Sequence, residues 1–152
     1  MQNGDDQSLV PKGFEDRVAG RGLVIKGWVP QVAILRHRAV GSYLSHCGWN
    51  SIHEAILAGV LLLAWPMQID HFPNSKLLVD ELGAAIPVCE GLETVPDATK
   101  LARILSDSVM SMTQQERIRA MKLREKALDA IRVAGSSSKA LDEIVEKLSS
   151  LV

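Results

Sequence analysis

The chain of 152 residues lacks the features that mark membrane, disulfide-rich and nucleic-acid-binding proteins. No apolar run approaches the length of a bilayer span, and residues 1–10 are polar and acidic, without the apolar segment of a signal peptide. The two cysteines, Cys47 and Cys89, lack CxxC spacing, which argues against a disulfide framework or a zinc site. The net charge of -1 gives no attraction to nucleic acid or to an anionic membrane. We therefore expect one cytoplasmic globular lobe with reduced thiols.

Two enzyme classes are also disfavoured. No GxGxxG motif follows the first apolar run, so a Rossmann enzyme that uses a nicotinamide cofactor is not indicated. A thiol enzyme built on Cys47 is disfavoured as well, because the polar neighbours of this cysteine are themselves candidates for a binding site.

Short apolar runs alternate with helical stretches as far as residue 88. The expected strands cover residues 23–25, 40–44, 60–65 and 84–88, and the expected helices between them cover residues 32–36, 51–58 and 74–82. This alternation predicts an α/β fold with a Rossmann-like parallel sheet, because strands buried on both faces are apolar throughout. We expect a polar, partly disordered connector at 1–22, the sheet domain at 23–135 and a last helix at 136–152.

From Val95 onward the pattern is helical only. Thr113 and Glu116 have the spacing of a capping box, which predicts the start of a long charged helix that ends at Gly135. Its expected inward residues are Ile118, Met121, Leu128 and Ile131. The last helix is expected to begin at Ser136 and to carry Leu141, Ile144, Val145 and Leu148 on one face.

Residues 45–54 carry the densest unusual chemistry of the chain, between an expected strand and an expected helix. Ligands of doubly wound sheets bind at the carboxyl ends of strands, and an open helix N-terminus offers N–H groups and partial positive charge to phosphate. Gly48 would let a diphosphate approach the backbone, while His46, Asn50 and Ser51 would add side-chain donors. This segment is therefore a candidate diphosphate site.

The same residues allow an interpretation without a ligand. Asn50 or Ser51 is a good helix N-cap, and Ser51 with Glu54 has the spacing of a capping box. Glu54 is equally suited to accept hydrogen bonds from the two ribose hydroxyls of a nucleotide. The residues alone leave both interpretations open.

Two further groups of residues follow expected strands. Trp28 offers a flat ring on which a nucleobase can stack, although a core tryptophan is the ordinary alternative. Asp70 and His71 can bind sugar hydroxyls, although such a pair is often only solvated. Because the carboxyl ends of parallel strands share one edge of a sheet, these groups and the diphosphate turn are predicted to converge on one ligand.

Residues 28–71 resemble the plant secondary-product glycosyltransferase box, the donor-binding segment of family 1 UDP-glycosyltransferases. The matching motifs, in order and spacing, are Trp28-Val-Pro-Gln31, His46-Cys-Gly-Trp-Asn-Ser51, Glu54, Ala58-Gly59-Val60, Trp65-Pro66 and Asp70. The resemblance extends more loosely over nearly all of the chain after Gly13. It implies an incomplete C-terminal lobe of a GT-B glycosyltransferase, ending in helices.

The resemblance implies two sets of binding residues. UDP would be bound by Trp28, Val29, Gln31, His46, Gly48, Asn50, Ser51 and Glu54. The transferred sugar would be contacted by Trp49, Asp70 and His71. In the first set the indole would stack on uracil, the carboxylate would hold the ribose diol and the residues of the turn would hold the diphosphate. Neither a metal nor a cofactor is implied beyond the UDP-sugar donor itself.

The final residue of the box departs from the pattern of glucosyltransferases, which usually have glutamine where this chain has His71. Histidine there resembles members that prefer galactose or rhamnose. Residues 36–41 and 78–82 resemble the subgroup that contains flavonol 7-O-rhamnosyltransferases. We hypothesise a donor other than UDP-glucose, and a small phenolic or flavonoid acceptor.

The family's general base is a histidine supported by an aspartate near the start of the N-terminal lobe, and the resemblance places neither in this chain. The chain would therefore contribute no catalytic residue and would hold the donor for a missing N-terminal lobe or a partner chain. We expect the isolated chain to be inactive. The alternative is a non-catalytic UDP-sugar-binding fragment, or one half of a split glycosyltransferase.

Overall fold

The computed structural model describes residues 10–110 and 115–151. The described residues as far as Pro30 form one compact unit, which contains the short helix α1 (Phe14–Val18). Those from Gln31 onward form a second unit. The domain limits expected from the sequence, after residues 22 and 135, stay predictions.

The second unit is built on a parallel sheet whose strands lie in the order β1, β2, β3. They span Ser42–Ser45, Leu61–Ala64 and Ala85–Pro87. Ser42 pairs with Leu61 and Leu62 pairs with Ala85. Each strand overlaps an apolar run of the sequence, and the predicted parallel α/β sheet is confirmed.

Helices connect and cover these strands. They are α2 (Gln31–Leu35), α3 (Trp49–Ala58), α4 (His71–Lys76), α5 (Ala98–Met110), α6 (Gln115–Ala130) and α7 (Ser136–Ser149). A π-helical segment at Leu77–Glu81 continues α4. Asp97 caps α5, since its Oδ1 accepts a hydrogen bond from Lys100 N at 2.7 Å. Across the described ranges, none of the helices combines the length and apolar character needed to cross a bilayer.

Strand β2 is the centre of the core, because every one of its residues is buried. Leu62 and Ala64 belong to a cluster that includes Ile52 of α3. Leu61 and Leu63 point to the opposite face and pack against the side of α5. The two faces alternate along the strand, as the pleat of a β-strand requires. A sheet covered on both sides leaves the ends of its strands as the open surface, and this positions the site.

The strand expected at residues 23–25 is wrong, because this segment has no regular secondary structure. Leu23 is 84% exposed. A strand needs a hydrogen-bonded neighbour, and residues 10–30 contain no strand to supply one. Trp28 consequently does not follow a strand, and the strand ends that bring candidate residues together are those of β1 and β2.

The inward face expected for α6 is also wrong in part. Ile118, Met121 and Ile131 are exposed, whereas Ala120 is buried and Leu123 packs against the core. A small side chain at the contact lets α6 approach closely, so the long apolar side chains lie at the margins of the interface.

The end of α6 differs from expectation, whereas α7 begins at Ser136, as expected. Thr113, the first residue of the expected capping box, lies outside the described residues. Helix α6 ends at Ala130, and Gly135 is the N-cap of α7 rather than the terminator of α6. Its φ of -70° is open to any residue, and the left-handed position is Ala134 instead. The apolar face expected on α7 is exposed in the described chain.

Candidate functional site

The turn after β1 leads directly into an open helix N-terminus. Gly48 is the N-cap of α3, with an extended backbone (φ -62°, ψ 148°), and no side chain caps this helix in the described chain. The first-turn N–H groups and the positive end of the helix dipole are therefore available to an anion. This is the arrangement expected of a diphosphate site.

The two interpretations of residues 50–54 without a ligand are wrong. Asn50 and Ser51 lie inside the first turn of α3, so neither is its N-cap. Glu54 does not reach back to cap the helix, because its Oε2 accepts a hydrogen bond from Gln31 Nε2 at 2.7 Å. The ribose role of Glu54 stays a prediction.

His46 lies over Gly48. A Cβ atom built on Gly48 would overlap His46 Nε2, so a side chain at this position and the observed place of the imidazole exclude each other. The glycine is required by this close approach and not by its backbone angles, which any residue adopts. The turn therefore brings an imidazole to the open end of α3.

Cys47 holds the turn and is not suited to react. Its side chain is fully buried, its φ is 66°, and its N–H donates to Ser45 Oγ at 3.1 Å. Burial raises the pKa of the Cys47 thiol and outweighs the hydrogen bonds with Ser75 and Trp65 that lower it. A protonated, buried thiol is a poor nucleophile, in agreement with the expectation that this is not a thiol enzyme.

The residues after β2 meet the turn after β1. The rings of His46 and His71 contact each other edge to face, with centroids 4.6 Å apart and an interplanar angle of 70°. His71 Nδ1 accepts a hydrogen bond from Gln68 N at 3.2 Å, which places the proton of the neutral ring on Nε2. The candidate diphosphate and sugar residues thus lie side by side at the carboxyl edge of the sheet.

Asp70 is held next to this pair by a residue that the sequence analysis missed. Asn74 Nδ2 donates to Asp70 Oδ2 at 3.0 Å and to the carbonyl oxygen of Cys47 at 3.1 Å. The available signal was the spacing of four residues between Asp70 and Asn74, which places two side chains on one face of a helix. Asp70 is the N-cap of α4 but makes no side-chain cap bond.

Tyr43 is a second residue that the sequence did not single out, and it supports Gln31 and Glu54, which are candidates for binding the ribose. Tyr43 Oη donates to Gln31 Oε1 at 3.2 Å, and the amide nitrogen of the same Gln31 bonds to Glu54. This chain of hydrogen bonds fixes which end of the Gln31 amide faces the carboxylate. The signal in the sequence was weak, because a tyrosine within an apolar strand is ordinarily a packing residue.

Trp49 stands in the first turn of α3 with its ring exposed. The ring contacts His53 edge to face at 4.3 Å between centroids, and His53 Nδ1 donates to the carbonyl oxygen of Trp49 at 2.8 Å. The indole is therefore supported from one side by the next turn of its own helix.

Trp28 and Val29 belong to the first compact unit. Trp28 is 88% exposed, so its ring is open to a flat ligand. The uracil role of Trp28 and the base-and-ribose role of Val29 stay predictions.

A parallel sheet whose strand leads through a glycine turn into an uncapped helix is the architecture of α/β nucleotide-binding domains. The chain belongs to the family described as UDP-glucoronosyl and UDP-glucosyl transferase, whose family model matches residues 12–128. The predicted membership of the plant family 1 UDP-glycosyltransferases is confirmed by this match and by the relatives below.

Two curated relatives from Arabidopsis thaliana are similar along most of the chain. The flavonol 3-O-glucosyltransferase UGT89B1 is 58% identical over 139 residues, which are 91% of this chain and 29% of that protein. A flavonol 7-O-rhamnosyltransferase is 55% identical over 146 residues, which are 96% of this chain and 33% of that protein. The chain thus spans about a third of the length of these relatives.

The fold is shared with a solved plant enzyme. The crystal structure of Arabidopsis thaliana UGT89C1 complexed with UDP-L-rhamnose superimposes with a TM-score of 0.85 and 58% identity, over 90% of this chain and 33% of that one. The same protein has been solved complexed with quercetin. This likeness confirms the expected fold, part of the C-terminal lobe of a GT-B glycosyltransferase.

Proposed function

We propose that this chain is the donor-binding half of a UDP-sugar-dependent glycosyltransferase. The complete enzyme would transfer a sugar from UDP, with inversion, to a hydroxyl of a small phenolic or flavonoid acceptor. The observation that carries the proposal is the contact between His46 and His71, which joins the turn after β1 to the loop after β2. The family membership and the flavonol glycosyltransferases among the relatives support the reaction class.

Each end of the proposed UDP site has its own chemistry. The open end of α3, with Asn50 and Ser51, would bind the diphosphate through backbone and side-chain donors. His46 would donate a further hydrogen bond and stabilise the charge that develops on UDP as it leaves. No metal is part of the proposal. Glu54, oriented by Gln31, would accept hydrogen bonds from the ribose hydroxyls.

The sugar would occupy the space beside Trp49, Asp70 and His71. A carboxylate accepts from sugar hydroxyls, and the Nε2–H of His71 is able to donate to one. Rhamnose, galactose and glucose are the candidate sugars, and we propose that glucose is not the preferred one. Support comes from His71 and from the structural relative that binds UDP-L-rhamnose.

The acceptor would be activated outside these residues. The 152 residues span about a third of the relatives' length, and the resemblance places the general base in the N-terminal lobe. We infer that the isolated chain binds the donor without transferring the sugar. An equivalent lobe, covalently joined or supplied as a partner chain, would restore transfer. We further propose a cytoplasmic enzyme of plant secondary metabolism, testable by fractionation of the source tissue.

Calorimetric titration of the 152-residue chain with UDP tests the binding site. We expect saturable binding that His46→Ala weakens at least about tenfold, because a charge-assisted hydrogen bond is lost. His37→Ala is the matched control, since His37 Nδ1 only accepts a bond from Ala39 N elsewhere on the chain. Folded wild-type protein that binds no UDP would rule out the proposal.

Reconstitution tests whether sugar transfer needs an N-terminal lobe in addition to this chain. The chain would be mixed with a separately produced N-terminal lobe of a flavonol glycosyltransferase, UDP-sugar and a flavonol, and the product followed by mass spectrometry. We expect no product from the chain alone, and product that depends on His46 when both parts are present, at a barrier cost of ~2.7 to 4 kcal/mol for His46→Ala. Product from the chain alone would contradict the inferred inactivity.

A further inference from the structure

We infer that Asn74 is a positioning residue that holds the carboxylate of Asp70 against the diphosphate turn, so that sugar and diphosphate are bound as one unit. The inference rests on the proposed function and deepens it. Asn74 matches none of the residues assigned to UDP or to the sugar above. Its side chain links the residues after β2 to the turn after β1 by hydrogen bonds, in addition to the contact between His46 and His71.

The geometry of Asn74 determines its role. Its side-chain nitrogen bonds to two oxygens, the carboxylate of Asp70 and the carbonyl of Cys47, and both can only accept. The orientation of the amide is therefore fixed by chemistry, because the flipped amide would place its oxygen against two acceptors. Asn74 is only 8% exposed, so water does not compete freely for these bonds.

The two bonds act on different parts of the site. The bond to Cys47 supports a residue whose φ of 66° is unfavourable for a side chain, and so it stabilises the path of the diphosphate turn. The bond to Asp70 uses Oδ2 alone. Oδ1 lies 3.9 Å from His71 Nε2, too far for a hydrogen bond, and so keeps its capacity to accept from a sugar hydroxyl. Without Asn74, Asp70 would gain rotamers that do not face the ligand.

Asn74 does not need to touch the ligand for this role, because both of its amide hydrogens already have partners in the chain. It would act on the sugar through Asp70. The consequence is that removing Asn74 should cancel the contribution of Asp70 to sugar binding, whereas a loss of general stability would weaken all ligands alike.

The experiment measures Kd for UDP, UDP-glucose and UDP-L-rhamnose on the 152-residue chain. The Kd for UDP is then divided by the Kd for each UDP-sugar, so that a lower ratio means weaker binding of the sugar. The proteins are the wild type, Asp70→Ala, Asn74→Ala and the double variant. We expect each single variant to lower the ratio for the preferred sugar by about tenfold, and the double variant to lower it no further. Asn74→Leu keeps the branched shape of the side chain but removes the hydrogen-bond donor. It replaces Asn74→Ala in this experiment if the alanine variant does not fold.

Ser108→Ala is the matched control for the loss of a buried polar side chain. Ser108 is fully buried, and its hydroxyl bonds to Ser42 Oγ at 2.9 Å and to Leu105 O at 2.8 Å on α5. We expect Ser108→Ala to lower the melting temperature and to leave the ratio of the Kd for UDP to the Kd for the UDP-sugar unchanged. An unchanged ratio in Asn74→Ala, or full additivity with Asp70→Ala, would overturn this inference alone. Failure of the wild type to bind UDP would overturn the proposed function, and the inference with it.

Discussion

His46 and His71 touch edge to face although they follow different strands, and the ring of each limits where the other can lie. His71 is further held by the hydrogen bond from Gln68 N, and its side chain is only 13% exposed. If the proposed donor site holds, a substitution at His71 should act on two parts of the UDP-sugar, directly on the sugar and through His46 on the diphosphate.

His71→Gln should shift donor preference toward glucose. Imidazole with Nδ1 occupied offers a single donor, whereas a glutamine amide both donates to and accepts from sugar hydroxyls. We expect the affinity for UDP-glucose relative to UDP-L-rhamnose to rise about fivefold, the equivalent of one hydrogen bond. Competition calorimetry measures it, with His37→Gln as control. A relative affinity that stays the same would show that His71 does not select the sugar.

Gly48→Ala should weaken UDP binding without unfolding the chain. Its backbone angles suit alanine, and the nearest atoms that the added methyl group would meet belong to the ring of His46. We expect a loss of about tenfold in affinity, because a displaced His46 would no longer donate the proposed hydrogen bond to the diphosphate. Adding Gly48→Ala to His46→Ala should cost nothing more. A further loss in that double variant would mean that the methyl group blocks the ligand itself.

The effect of Glu54 on affinity should depend on the ribose hydroxyls of the ligand. We expect Glu54→Ala to weaken UDP about tenfold and to weaken 2′-deoxy-UDP clearly less, since the deoxy ligand has already lost one of the two hydroxyls that the carboxylate would bind. Tyr43→Phe frees the Gln31 amide and should produce a smaller effect of the same kind. Equal weakening of both ligands by Glu54→Ala would assign Glu54 to the fold and not to the ribose.

Arg124 should stabilise α3, the helix that carries the candidate diphosphate site. Its Nε donates to the carbonyl oxygen of Leu57, near the C-terminus of α3, where a cation also interacts favourably with the helix dipole. We expect Arg124→Ala to lower the free energy of unfolding by about 1 to 2 kcal/mol. Arg132→Ala is the control, because its pair with Asp129 lies on the surface and contributes little. Thermal melts compare the two, and equal shifts would contradict the role of Arg124.

The sheet was predictable because its strands are buried on both faces, which makes each one a continuous apolar run. The run at residues 23–25 shows the limit of that signal, since a segment can be apolar and yet have no neighbouring strand to pair with. The same limit applies to α6, where periodicity selected the long side chains and the observed contact uses Ala120. Periodicity identifies an apolar face but not the depth at which it packs.

The amino-acid sequence by itself determined the class of fold, the family and the turn after β1, because these depend on residue types and short spacings along one segment. Only the tertiary structure decided that His46 meets His71, that Glu54 binds Gln31 rather than capping α3, and that Asn74 bridges Cys47 and Asp70. The contacts of His46 with His71 and of Asn74 with Cys47 join segments that follow different strands. Their partners are set by the parallel register of the sheet, which brings strand ends to a common edge.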